Sequence, residues 1–178
     1  AKSRPGQINY ASGGNATGAQ LAGELLKRMA GIDMVHVPYK GVGPAVMALL
    51  AGQVSVMFAQ MPIVRPHILS GKLRALAVAS EVRSQAMPDL PTVAEAGFPG
   101  FKVDVWFGVV APAGTPSGIV SRLSSEIGKI MRMPDVRERL VPEGAEPAAG
   151  SPEAFAALIR RDIANSAELV RKAGARVD

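Results

Sequence analysis

Short β-like runs alternate, along the first part of the chain, with stretches whose apolar residues return every three or four positions. Ile8-Asn9-Tyr10-Ala11 reads as a strand. Gly18 to Met29 reads as a helix with Leu21, Leu25, Leu26 and Met29 on one face and Glu24, Lys27 and Arg28 on the other. Gly31 is placed to terminate it. Met34-Val35-His36-Val37-Pro38 is a second strand, and Pro44 to Leu50 a second helix, apolar nearly all round and therefore buried on more than one side. Val54-Ser55-Val56-Met57-Phe58 gives a third strand, and a short helix follows through His67 to Leu69. Lys72 to Ala79 reads as a fourth strand, apolar enough to be central.

Strand, turn and helix thus repeat with connections too long for hairpins, so the economical topology is a mostly parallel sheet with right-handed crossovers, flanked by helices. The fold class is α/β. In such a sheet the turns after the first three strands share the carboxyl edge, where ligands bind in open α/β folds. From Ser80 to Gly100 proline and glycine punctuate a loop with one short helix near Val93. Val103 to Ala111 reads as a long strand, able to run from one lobe into another. Thr115-Pro116-Ser117 opens a helix with an Ile119, Leu123, Ile127, Ile130 stripe; Pro134 starts a short helix through Leu140; Ala145 to Ala148 reads as extended. Ser151-Pro152-Glu153 opens the last helix, which runs to about Ala173 with Phe155, Leu158, Ile159, Ile163 and Val170 on its buried face. The expected division is an α/β lobe over residues 1–105 and a crossover strand with a helical segment over residues 106–178.

Composition narrows the function classes. Of the 178 residues 48% are apolar and only 4% aromatic, which favours helix-on-sheet packing over an aromatic sandwich. The formal charge of +5 raises a nucleic-acid partner, but the basic residues are scattered. Arg160-Arg161 and Arg171-Lys172 lie close to Glu153, Asp162 and Glu168, and no basic run is interleaved with aromatics, so nucleic acid is excluded as the expected partner. The basic balance still favours small acidic ligands. There is no cysteine, which excludes disulfides and thiol chemistry. No apolar run approaches the ~20 residues of a membrane span. The opening Ala1-Lys2-Ser3-Arg4-Pro5-Gly6 has no signal-like apolar region and reads as the interior of a longer protein.

The chemistry concentrates in three turns. Ser12-Gly13-Gly14-Asn15-Ala16-Thr17 follows the first strand, Tyr39-Lys40-Gly41 the second and Ala59-Gln60 the third. Backbone N–H groups of the first turn and the positive end of the following helix suit a carboxylate or phosphate, and Lys40 adds a charge. The same residues also describe ordinary βα turns, with Thr17 as a helix cap, Lys40 solvated and Tyr39 packing. Of the two histidines, His36 lies in an apolar strand and His67 beside Pro66, so both read as structural. No Gly-x-Ser-x-Gly elbow is present and no base for Ser12 is evident, so the chain does not read as an enzyme. Metal-ligand spacing, a phosphate loop and a dinucleotide fingerprint are all absent, so no cofactor is expected.

Asn9-Tyr10-Ala11-Ser12-Gly13-Gly14-Asn15, Leu21-Ala22-Gly23-Glu24-Leu25, Val37-Pro38-Tyr39-Lys40-Gly41 and Gly71 to Val78 together resemble the tripartite tricarboxylate transporter substrate-binding proteins, the Bug-type solute receptors. Pro88 to Gly97 and Trp106-Phe107-Gly108 extend the resemblance over essentially the whole chain. It implies a periplasmic binding protein of two α/β lobes that captures a small carboxylate and delivers it to membrane permease subunits. It assigns the Ser12 to Thr17 turn to the second lobe's share of the carboxylate clamp, with Lys40-Gly41 and Ala59-Gln60 lining the same cleft. It also implies an export signal upstream of Ala1 and a first lobe on which residues 106–178 pack, their apolar faces otherwise left bare and prone to self-association. Two departures are visible: Ala19-Gln20 stands where such proteins commonly carry histidine, and Ala59 where an acidic residue often follows the strand, which argues against amino-acid ligands. A ligand-sensing domain of a bacterial transcriptional regulator is the alternative that shares this architecture.

Overall fold

A computed structural model describes residues 1–173. Its sheet has three strands, β1 (Asn9–Ser12), β2 (Val35–Pro38) and β3 (Val56–Met57), in the order β2-β1-β3. Both pairings are parallel, with Tyr10 opposite His36 and Val56, and Ala11 opposite Val37 and Met57. The crossovers are α1 (Gly18–Ala30) and α2 (Val42–Leu50), and α3 (Met61–Leu69) follows β3. The parallel, helix-flanked sheet expected from the alternating pattern is therefore the observed one.

β1 is the most enclosed element because its side chains alternate between two helices. Ala11 joins Ala45, Ala48 and Val54 in a core beneath α2. Tyr10 turns the other way, against α1, and is fully buried. Beyond it Ala22 and Leu25 of α1 pack with Val93 and Phe101 in a second core, where Phe58 stacks on Phe101. β3 begins two residues later than its apolar run, because the Asn9 side chain captures Ser55: Asn9 Oδ1 accepts from Ser55 N at 2.8 Å and from Ser55 Oγ at 3.0 Å. α2 begins two residues earlier than expected, since Pro44 in its first turn needs no N–H partner.

Three expected elements do not form. Lys72 to Ala79 is not a central strand; only Val78 pairs, as an isolated bridge to Thr92. The ladder stops there because the neighbouring Pro91 has no N–H to donate. The short helix near Val93 is a turn. Thr92 and Glu95 bond each other reciprocally as at a helix start, at 2.7 and 3.0 Å, but Gly97 at φ 110° ends the chain's rotation before a second turn. Val103 to Ala111 has no strand partner among the described residues and runs as irregular chain.

The remainder is helical: α4 (Ser117–Arg132), α5 (Pro134–Leu140), a 3-10 turn at Val141–Glu143 that the sequence pattern does not announce, and α6 (Pro152–Ala173). Ala145 to Ala148 belongs to no regular element. α6 packs on α1 and clasps the irregular chain: Trp106 Nε1 donates to Asp162 Oδ2 at 3.1 Å, and the Trp106 and Phe155 rings meet edge to face at 5.4 Å. Phe155, Leu158 and Ile159 are partly covered, but Ile163 is exposed rather than part of the buried face. Phe107, Val109 and Val110, with Ile119, Leu123 and Ile130 of α4, are exposed as well.

Gly23 lets α1 lie on the Tyr10 ring, since a Cβ there would fall inside van der Waals contact with three ring carbons. Glycine-to-alanine in a helix interior ordinarily gains ~1 kcal/mol. Here the overlap with a fully buried ring wins, and G23A is expected to lose ~1–3 kcal/mol in urea denaturation. A stabilised G23A would contradict the packing of β1 against α1.

Candidate functional site

The turns after β1, β2 and β3 lie on one edge of the sheet because all three strands run the same way. The first two are stapled together. Tyr39 N donates to Ser12 O and Gly41 N to Gly13 O, both at 3.0 Å. Gly13 permits this approach: a Cβ there would lie 3.1 Å from Val42 N and 3.2 Å from the Gly41 carbonyl carbon. The third turn, Ala59-Gln60, shares the edge through the β1–β3 pairing and forms no hydrogen bond to the other two among the described residues. Gln60 is the residue before α3, and its Oε1 is buried without a partner.

The β1–α1 turn is shaped by its side chains. Ser12, fully buried, has its Oγ 2.8 Å from Gly14 O and 3.2 Å from Gly14 N. Thr17 Oγ1 also donates to Gly14 O, at 2.9 Å, and caps α1 by accepting from Gln20 N at 3.4 Å. Ala16 sits at φ 59°, the one positive φ outside glycine among the described residues. That conformation costs roughly 1 kcal/mol for an L residue. It is offset by Gln20, whose buried side-chain Oε1 accepts from Ala16 N at 2.6 Å.

The amides therefore divide into two sets. Those of Gly14, Ala16, Tyr39 and Gly41 are spent inside the protein, so the expectation that the first turn leaves its N–H groups open holds only for part of it. The amides of Asn15, Thr17, Gly18 and Ala19 have no hydrogen bond to another protein group among the described residues. None of α1, α2 or α3 carries an acidic residue in its first turn, so the positive ends of three helices stand unneutralised at one edge. Lys40, exposed, forms no ion pair among the described residues. Such an edge attracts anions.

Ser12 has a neighbour that the sequence does not announce. His36 Nε2 lies 2.7 Å from Ser12 Oγ, whereas no base for Ser12 was evident along the chain. The parallel register explains it, because Tyr10 faces His36 directly and Ser12 returns to the same face two residues on. The ring stacks on Tyr10 with centroids 5.0 Å apart, and Tyr10 Oη donates to Glu24 Oε1 at 2.6 Å, which Lys27 pairs at 3.1 Å. A nucleophile must be reached by substrate, and Ser12 is fully covered. Burial, then the nearby Glu24 carboxylate, raises the Tyr10 phenol far above its ordinary value. Burial lowers the His36 imidazole; the Glu24 charge opposes this and Lys27 reinforces it.

The family described as "Tripartite tricarboxylate transporter family receptor" has a model that matches residues 1–175. The chain is 42% identical over 171 residues to a UPF0065 protein of the tcbD-tcbE intergenic region of Pseudomonas sp. strain P51, covering 96% of this chain and 51% of that protein. It is 39% identical over 176 residues to BugT of Bordetella pertussis, covering 99% and 54%. Among solved structures, R. palustris Rpa4515 with adipate superposes with a TM-score of 0.95 at 34% identity, covering 98% of this chain and 58% of that one. MatC (Rpa3494) from Rhodopseudomonas palustris with bound malate gives 0.83 at 35%, covering 93% and 57%. The chain spans about half the length of these curated relatives.

Two outcomes follow for solution measurements. Gln20→Ala removes the acceptor for Ala16 N while the positive φ remains, and is expected to lose ~1–2 kcal/mol in denaturant unfolding. A loss no larger than that of an exposed glutamine would show the bond to be idle. For His36, the folded pKa lies below the unfolded one, so the unfolded chain binds the extra proton. Its contribution to stability is complete above about pH 6.5 and is lost as pH falls through the depressed folded value. Unfolding followed across this range is expected to lose part of its pH slope in His36→Gln.

Proposed function

The chain belongs to the tripartite tricarboxylate transporter family of receptors, and from that premise we propose that it supplies one jaw of an extracytoplasmic receptor for a small carboxylate. The observation that carries the reading is the sheet edge itself: unpaired amides at Asn15, Thr17, Gly18 and Ala19 beside three unneutralised helix ends. Ser12, Gly13, Gly14, Asn15, Ala16 and Thr17 form the ligand turn, with Gly14 and Ala16 shaping it. Tyr39, Lys40, Gly41, Ala59 and Gln60 line the same edge. Adipate and malate in the two solved relatives make a dicarboxylate the first class to test.

In this reading residues 1–105 are one lobe, and residues 106–178 carry the surface that meets the rest of a receptor of the relatives' length. The exposure of Phe107, Val109, Val110, Ile119, Leu123 and Ile130 supports that division. Family receptors are periplasmic and serve a membrane transporter, and the proposal extends both to this chain. No helix among the described residues is long and apolar enough to cross a membrane. The role is passive capture without catalysis, and a fully covered Ser12 is in keeping with it. The regulator alternative draws no support from the family match.

Calorimetric titration with adipate, malate and tricarboxylates tests the reading. A receptor-length chain that includes these residues is expected to bind at least one of them with a Kd near or below about 10 μM, while the 178-residue chain alone binds at least about a hundredfold more weakly. A receptor-length chain that answers to none of these acids would overturn the proposal.

A further inference from the structure

The Ser12 hydroxyl has one proton and three polar neighbours: Gly14 O at 2.8 Å, His36 Nε2 at 2.7 Å and Gly14 N at 3.2 Å. The Gly14 N–H only donates, so the carbonyl and the imidazole compete for that proton. Two oxygens held at 2.8 Å without a hydrogen between them repel, which puts the proton on the line to the Gly14 carbonyl. A nitrogen 2.7 Å from the same hydroxyl oxygen must then carry its own hydrogen. We infer that His36, with its proton on Nε2, is a positioning residue for the β1–α1 turn. It donates to Ser12 Oγ, commits the hydroxyl to Gly14 O and so holds the turn whose next amides stand unpaired.

The donor is well anchored. The His36 ring cannot swing freely, because it stacks on Tyr10, which is pinned through Glu24 to Lys27. Ser12 is fully covered, so water does not replace a lost donor. Tyr10 from β1 and Glu24 and Lys27 from α1 are the titratable groups facing the ring. Neutral imidazole with hydrogen on Nε2 and imidazolium both donate from this nitrogen, so the bond survives protonation; what acid adds is the cost of a buried charge. That the turn faces a ligand rests on the proposed function, whereas the tautomer does not.

Nitrogen-15 NMR of the 178-residue chain at about pH 8, where the ring is neutral, reads the tautomer directly. Hydrogen on Nε2 is the expected result, and hydrogen on Nδ1 with Nε2 bare overturns the inference. Two variants read the consequence: His36→Phe keeps a ring against Tyr10 and removes the donor, and His36→Gln restores an amide N–H near the Nε2 position. Exchange of the Gly14 amide is expected to quicken about tenfold in His36→Phe and to stay within about threefold in His36→Gln. Equal exchange in the two variants overturns the positioning role. If His36→Phe fails to fold, the tautomer and the His36→Gln exchange rate, compared with the unsubstituted chain, still decide. In a receptor-length chain, adipate and malate affinity should follow the same order. Should neither acid bind the unsubstituted receptor, the carboxylate reading fails, while tautomer and exchange judge His36 on their own.

Discussion

The parallel pairing of β1 with both neighbours is the constraint on which the rest depends. Two strands that run the same way cannot be joined by a hairpin, so the chain must cross back over the sheet, and each crossover here is a helix. All three strands then end at one edge, and the helix that follows each of them begins there. Three helix N-termini come together as a consequence of strand direction, before any side chain is considered. The same pairing aligns side chains across strands, which is why Tyr10, His36 and Ser12 share one face of the sheet while Ala11 packs beneath α2 on the other.

Within that edge, the polar groups sort themselves by cost. A buried donor or acceptor left unmade costs ~1–3 kcal/mol, so those that cannot reach water are paired first. The buried Ser12 hydroxyl, bonded to Gly14, and the buried Gln20 side-chain oxygen, bonded to Ala16 N, are of this kind; the half-buried Gly13 and Gly41 are paired as well. What is left over, at Asn15, Thr17, Gly18 and Ala19, lies where a helix begins and no carbonyl can reach. Preorganisation follows: the pairs that fix the turn are separate from the amides that remain open, so an arriving anion need break nothing. Gln60 Oε1 differs, as a buried acceptor for which no partner stands among the described residues.

The sheet and its helices were legible in the sequence because their signals are local. Leu21, Leu25 and Gly31 mark α1 by spacing and termination, and each of the first three strands is an apolar run bounded by a turn. Lys72 to Ala79 and Val103 to Ala111 carry the same apolar signal, yet pairing is a property of the neighbour. Pro91 denies the first a ladder, and α6 holds the second through Trp106 and Phe155 without strand pairing. Ile163 fails for a related reason, since a helical stripe is buried only as far as something covers it. In the site, the turns and their glycines were visible, but the partition of amides was not. His36 was hidden because its contact with Ser12 spans 24 residues and depends on strand register. Gln20 was visible as a residue standing where histidine is common, and its bond to Ala16 N gives that position a structural use.

The strength of this edge as an anion site depends on what lies over it. Two unit charges 4 Å apart attract by ~1 kcal/mol in water and ~4 kcal/mol at the effective dielectric near a protein surface. The Asn15 and Ala16 side of the turn is exposed, so a carboxylate resting there keeps most of its hydration and gains little from the helix ends. A covering surface changes both terms at once, removing water and raising the worth of each N–H without altering one residue of the turn. On the proposed function, the apolar face of residues 105–130 and the weakness of the uncovered edge have a common origin. The first is the area that a covering lobe would bury, and the second is the electrostatic effect of leaving it unburied.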